Sequence, residues 1–230
     1  MDKTTITISD KSCRIYTSAD PVFLLVQPTD DHELGLMDHE VETIRQAAGA
    51  PFILAAFRVD DWNQELSPWD APAVFGKESF GHGAEDTLAF IENEFLPELM
   101  KNFGIRENVP VILGGYSLAG LFSLWSGFSS SRFTAIAAAS PSVWFPDLLD
   151  FAASHEPKVR CIYLSLGDKE SRARNPRMAT VGDCIEKLAE RFAGDPEVDS
   201  ILEWNPGNHF RDSDQRTAKA FAWCMNQLQK

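Results

Sequence analysis

Val109-Pro110-Val111-Ile112-Leu113-Gly114-Gly115-Tyr116-Ser117-Leu118-Ala119-Gly120 is the stretch on which the reading of this chain turns. It opens short, apolar and β-branched, which predicts a buried strand. Leu121-Phe122-Ser123-Leu124-Trp125-Ser126-Gly127 follows and reads as a buried helix. A Gly pair, Tyr116 and Ser117 lie between them. A sharp turn between two buried elements strains its central residue and brings the chains close together. Gly115 before Ser117, and Ala119 and Gly120 after it, supply the room. The turn lifts the Ser117 hydroxyl above the sheet edge at a helix N-terminus, where backbone N–H groups can stabilise an oxyanion. G-x-S-x-A-G by itself is a weak pattern, since a glycine-rich turn with a surface serine would share it.

The flanking sequence repeats the alternation. Residues 4–8 and 12–17 alternate weakly and predict an edge hairpin. Val22–Val26 and Pro51–Phe57 are continuous apolar runs, read as buried strands. Residues 27–31 read as a turn, and residues 37–48 as a helix ending at Gly49. Residues 84–103 predict a helix with Leu88, Ile91, Phe95, Leu99 and Phe103 on one stripe and a kink at Pro97. Further strands are expected at 133–139, 159–166 and 199–204, and helices at 146–153, 176–193 and 212–228. The long connection 58–83 holds Trp62 and Trp69 and has no clean period; a loop of that length in a compact domain is usually functional. Solid apolar strands alternating with helices predict an α/β protein with a mostly parallel sheet covered on both faces. Ligands of such sheets sit beyond the C-terminal strand ends.

Composition sets the outer bounds. The chain has 230 residues, 44% of them hydrophobic, which suits a single domain, 1–230, with a full core. A net charge of −13 argues against nucleic acid and anionic membrane surfaces as partners. No apolar run approaches the ~20 residues of a membrane span. Cys13, Cys161, Cys184 and Cys224 are scattered and form neither a zinc motif nor a disulfide framework. With no apolar leader after Met1, a cytoplasmic protein is expected. No P-loop, dinucleotide fingerprint or His-rich ligand spacing is present, so neither cofactor nor metal is expected.

Three polar groups follow strand ends: Ser117, the turn Gly167-Asp168-Lys169-Glu170, and His209 in Asn205-Pro206-Gly207-Asn208-His209-Phe210. A serine hydroxyl is a poor nucleophile near neutral pH until a base takes its proton, and the base needs a carboxylate to fix its tautomer. The order Ser…acid…His is that of α/β-hydrolases. His209 is the expected base. His82, in Gly81-His82-Gly83, is the reserve, though upstream of Ser117; His32, His39 and His155 read as solvated. Asp168 and Glu170 compete for the acid. Glu170 has the longer reach, and the residues alone leave the choice open. The N–H of Leu118 is the expected first oxyanion donor. Thr29 is the expected second, because its neighbour Pro28 has no N–H. Trp144, after Ser140-Pro141, is a candidate for the pocket wall or for core packing; Trp62 and Trp69 are weaker candidates.

Assembled, these residues resemble the esterase family of α/β-hydrolases that includes enterochelin esterases, feruloyl esterases and S-formylglutathione hydrolase. The carriers are Gly115–Gly120, Ser140-Pro141-Ser142-Val143-Trp144, Gly167–Glu170 and Gly207-Asn208-His209-Phe210, in a likeness running from about residue 20 to the C-terminus. The resemblance implies an α/β-hydrolase fold with Ser117 as nucleophile, Glu170 as acid and His209 as base. It also implies a small-molecule ester as substrate. Ala119 replaces a commoner glycine, and the early loop lacks the family's frequent His-Gly. The short N-terminal part leads us to expect no added substrate-binding domain. The same residues would also serve an acyltransferase, and a non-catalytic hydrolase-like binding protein is the alternative of a different class. Oligomeric state is not legible in the sequence.

Overall fold

The computed structural model describes residues 1–74 and 76–230. Phe75, inside the long 58–83 connection, lies outside the described residues.

Among the described residues eight strands form one sheet: β1 (Asp2–Ile8), β2 (Lys11–Thr17), β3 (Phe23–Thr29), β4 (Phe52–Arg58), β5 (Val111–Tyr116), β6 (Ala135–Ala139), β7 (Cys161–Gly167) and β8 (Asp199–Asn205). Their order is β1-β2-β4-β3-β5-β6-β7-β8. The N-terminal hairpin pairs antiparallel with itself and with β4, and the other pairs are parallel. This is the expected edge hairpin on a mostly parallel sheet.

The solid apolar runs split by residue parity. In β4, Ile53, Ala55 and Phe57 enter one core, while Phe52, Leu54 and Ala56 enter the other. Helices α1 (Asp31–Ala48) and α8 (Ser213–Gln227) cover the second face through Met37, Val41, Ile44, Phe221 and Met225. Helices α3 (Ala84–Phe90), α4 (Leu96–Phe103), α5 (Leu118–Ser129), α6 (Leu148–Ser154) and α7 (Val181–Ala193) cover the first, and the short α2 (Trp62–Glu65) lies in the long 58–83 connection. A strand buried on both faces has no polar positions to spare, hence the unbroken apolar reading.

Several boundaries differ from expectation: the helix expected at 176–193 starts at Val181 after a 3₁₀ turn, Met178–Thr180, the strand expected at 133–139 starts at Ala135, and two differences bear on the site. The stretch 27–31, expected as a turn, continues β3 to Thr29, with Pro28 opposite Phe57 and Thr29 opposite Arg58. The β5 ladder ends at Val26, so Pro28 withholds its missing N–H from a side that is already unpaired. Helix α1 then starts at Asp31, not at 37. Asp30 caps it, its carboxylate accepting from Glu33 N–H at 2.7 Å, and Gly49 closes it at φ +65°. Asp30-x-x-Glu33 has capping-box spacing, a signal that would have moved the start. The stripe helix over 84–103 also runs as expected, except that Ile91–Phe95 form a π-turn in which Leu96 N–H donates to Ile91 O. The widened turn absorbs Pro97, whose ring cannot fit the regular ladder.

The chain steps outward from β3 to β4 and returns to place β5 on the other side of β3. That reversal opens a crevice between the C-terminal ends of β3 and β5. Asp30 follows one of these ends and Ser117 the other.

Candidate active site

Ser117 sits between β5 and α5 with φ +58° and ψ −118°. This region costs a non-glycine residue about 1–3 kcal/mol and persists only where packing enforces it. The enforcement is visible. A Cβ on Gly115 would lie 2.6 Å from Ala119 Cβ, so only glycine lets strand and helix approach this closely. Ser117 N–H donates to Ala139 O on β6, and Ser117 O accepts from Ser142 and Leu121 N–H. The backbone is pinned on three sides and the hydroxyl is left facing out.

His209 reaches that hydroxyl. Its Nε2 is 3.0 Å from Ser117 Oγ, and its Nδ1 is 2.7 Å from Glu170 Oε2. Glu170 opens a short 3₁₀ turn after β7 and is 7% exposed. Its other oxygen, Oε1, accepts from Gly167 N–H at 2.7 Å, Ser140 Oγ–H at 2.8 Å and Arg216 Nη1 at 2.9 Å. Burial works against the carboxylate, but the His209 contact, the Gly167 N–H and the Ser140 hydroxyl outweigh it and hold the carboxyl below its usual range. Tyr116 donates its hydroxyl to His209 O at 2.8 Å, and its ring lies 5.1 Å from the imidazole. Burial, above all, pushes this phenol up to about 12, so it remains a donor at neutral pH.

A cleft of about 530 Å³ opens over Ser117 and His209. Trp62, Phe80, Trp144, Met178 and Phe210 give it an apolar wall, and Asp30, Lys169 and Arg172 give it charge. Phe210 is 90% exposed at the rim. Among the described residues no group of three or more His, Cys, Asp or Glu is placed to hold a metal ion. No helix among them is long and apolar enough to cross a membrane.

The structure brings Ser117, His209 and Glu170 into one hydrogen-bonded array, with Leu118 at the cleft floor and the start of α5. Of the two competing carboxylates, Asp168 is turned away, its Oδ1 accepting from Gly207 N–H at 2.8 Å. Thr29 is elsewhere. Its hydroxyl donates to Phe57 O, and its carbonyl accepts from Val59 N–H. Because N–H and C=O of one strand residue point the same way, the Thr29 N–H also faces β4. Asp30 is the residue of this loop that reaches the cleft. Trp144 lines the cleft and also packs on Phe80. Trp62 lines the cleft too, whereas Trp69 donates to Pro146 O and packs on Phe145 and Phe151. His82 is exposed, bonded to Asp70 and outside the cleft. Sequence reasoning missed Arg216, Ser140 and Tyr116, whose roles arise only from contact across the strand ends.

The fold is the α/β-hydrolase sheet, and its cleft holds a serine, a histidine and a glutamate in one hydrogen-bonded array. A family model described as "Putative esterase" matches residues 34–193, and the chain belongs to this family of carboxylic ester hydrolases. Among solved structures, an IroE-like serine hydrolase from Shewanella oneidensis superposes with a TM-score of 0.81 at 15% identity, over 97% of this chain and 80% of that one. The siderophore hydrolase EstA from Aspergillus nidulans gives 0.73 at 18% identity, over 98% and 94%. The enterobactin esterase FES from Shigella flexneri, in the presence of enterobactin, gives 0.73 at 19%, over 99% and 60%. At these identities the likeness is one of fold. Comparison with curated protein sequences gives no match.

Proposed function

We propose that the chain, acting as one domain over residues 1–230, cleaves a carboxylic ester through an acyl-enzyme formed on Ser117. The observation that carries this reading is the array itself: a strained serine at a cleft floor, 3.0 Å from His209 Nε2, with Glu170 2.7 Å from Nδ1. His209 takes the Ser117 proton as the oxygen attacks the ester carbonyl, then gives it to the leaving alkoxide. Water repeats the sequence in reverse and releases the acid. Glu170 stays ionised, fixes the tautomer that leaves Nε2 as acceptor, and offsets the charge of the transient imidazolium. Leu118 N–H at the start of α5 serves as one oxyanion donor. For the second, the backbone N–H of Asp30 replaces the one expected from Thr29, which faces β4.

The cleft favours a bulky ester. Its aromatic walls accept a flat apolar arm, and Lys169 and Arg172 complement an oxygen-rich or anionic substituent on it. The siderophore hydrolase and enterobactin esterase that share the fold motivate testing substrates of that kind.

The test is hydrolysis of a short p-nitrophenyl ester by wild type and Ser117→Ala, with fluorophosphonate labelling in parallel. The expected result is that activity and labelling vanish together in the variant. Activity surviving the substitution would place the nucleophile elsewhere. A folded wild type that neither hydrolyses nor labels would indicate a binding protein on a hydrolase scaffold. Product analysis with added alcohols separates hydrolysis from acyl transfer.

A further inference from the structure

Arg216 lies in the first turn of α8, a position where a cation normally faces water, yet it is 2% exposed. Its Nη1 donates to Glu170 Oε1 at 2.9 Å and to Ser140 Oγ and Tyr116 Oη at 3.1 Å each. Its Nη2 donates to Pro206 O at 3.2 Å and Asn208 O at 3.1 Å. One planar group therefore touches the last residue of β5 and the segments after β6, β7 and β8, the strand ends around which the Ser117–His209–Glu170 array is built. Two of its partners also hold the array directly: Ser140 donates to Glu170 Oε1, and Tyr116 donates to His209 O.

The surrounding backbone is shaped to admit the fork. A Cβ on Gly167 would lie 2.4 Å from Gly207 O, 2.9 Å from Glu170 Oε1 and 3.0 Å from Arg216 Nη1. Glycine is required there so that the acid turn, the histidine loop and the guanidinium can meet. A lysine in place of Arg216 would supply a point charge but could not span both the carboxylate and the two loop carbonyls.

We propose that Arg216 is a positioning residue for the esterase reaction, clamping Glu170 Oε1 so that Oε2 is aimed at His209 while tying the histidine loop to the end of the sheet. This rests on the reading of Ser117, His209 and Glu170 given above. His209 is faced by Glu170 from the turn after β7, by the Tyr116 hydroxyl from β5 and by Arg216 behind Glu170 from α8. Asp30, Lys169 and Arg172 share its cleft.

The experiment compares wild type, Arg216→Met and Arg216→Lys by fluorophosphonate titration, by separate kcat and KM on a p-nitrophenyl ester, and by circular dichroism for fold. Arg216→Met is expected to lose about 100-fold or more in kcat, with KM little changed. Arg216→Lys is expected to restore part of that loss, staying about 10-fold below wild type in kcat through the slackened loop, again with KM little changed. Should Arg216→Met lack a native spectrum, Arg216→Lys together with Ser140→Ala, which removes one neutral bond to the same oxygen, carries the test: both must lose kcat while keeping KM. Folded variants with wild-type kcat, or an Arg216→Met loss that falls on KM and is not partly rescued by Arg216→Lys, would overturn the proposal and leave Arg216 a purely structural residue. A wild type that fails to label would instead remove the underlying reading, an outcome distinct from either.

Discussion

Glu170 and Glu40 are both buried glutamates, at 7% and 2% exposure, and the protein treats them in opposite ways. Glu170 has donors on both oxygens: His209 on one, and Gly167, Ser140 and Arg216 on the other. Its carboxyl is held below the usual range despite burial. Glu40, on α1 against β3, has one weak contact, Gln27 Nε2 at 3.5 Å, and no partner for Oε1. Burial pushes its carboxyl up to about 8, with the Asp214 charge adding to the effect. Burial alone therefore does not make a useful carboxylate; the donors around it do. Five positions distant in sequence, 140, 167, 170, 209 and 216, had to meet to charge Glu170. Nothing comparable meets Glu40, so its charge is a cost to the fold near neutral pH.

The most forceful way to break this contrast is to neutralise each group in turn. Glu170→Gln is expected to lower kcat/KM roughly a thousandfold to ten-thousandfold, because the amide no longer stabilises the imidazolium or fixes its tautomer. Glu40→Gln is expected to leave kcat/KM within about twofold, measured on the same p-nitrophenyl ester. Comparable losses in both would end the distinction.

Stability should respond the other way. Glu40 titrates higher in the folded chain than in the unfolded one. Its favourable contribution is thus complete below about pH 4 and is lost as pH rises through about 8. Glu40→Gln removes that loss, and its amide can donate to the unpartnered Gln27 Oε1. Thermal melts at pH 9 should show a gain of about 1–3 kcal/mol, or roughly 2–10 °C, shrinking toward pH 5. No gain at pH 9 would mean that water or rearrangement already satisfies Glu40.

Glu170 carries the opposite sign. Its folded value lies below its unfolded one, so its contribution is present above about pH 4.3 and is lost as pH falls below that. Melts between pH 5 and 3 should therefore fall more steeply for wild type than for Glu170→Gln. Parallel slopes would show that Glu170 is not held charged by its neighbours.

The smallest expected effect sharpens the choice of acid. The Asp168 carboxylate accepts from the Gly207 N–H, away from His209. Asp168→Asn preserves an acceptor there and should keep kcat/KM within about fivefold. A loss approaching that of Glu170→Gln would reverse the assignment of the two carboxylates.

Most of the sheet could be read in advance, because each buried strand had to be apolar on both sides, and a run such as Phe52–Phe57 has few other uses. The hairpin, the stripe helix and the strand-turn-helix around Ser117 were legible for the same reason: their signals are local. The end of β3 was not, because Pro28 and Thr29 look like turn residues until β4 is seen to run alongside them. The early-loop residue at the cleft shifted with that boundary, from Thr29 to Asp30. Arg216 was invisible for a deeper reason. A charged residue in the first turn of a helix reads as solvated, and only the packing of α8 against the strand ends reveals four other segments waiting for its donors.

The sequence by itself determined an α/β chain with a serine elbow after one strand, an acid turn after another and a histidine loop after a third. Periodicity, glycine placement and strand-end position are properties of neighbours along the chain. The tertiary structure alone decided which carboxylate faces His209, which early-loop residue reaches the cleft, and that one buried guanidinium joins the whole array. Those depend on directions of individual bonds across residues as much as 100 positions apart, as between Tyr116 and Arg216, and such directions are set only when the sheet closes and the helices pack on it.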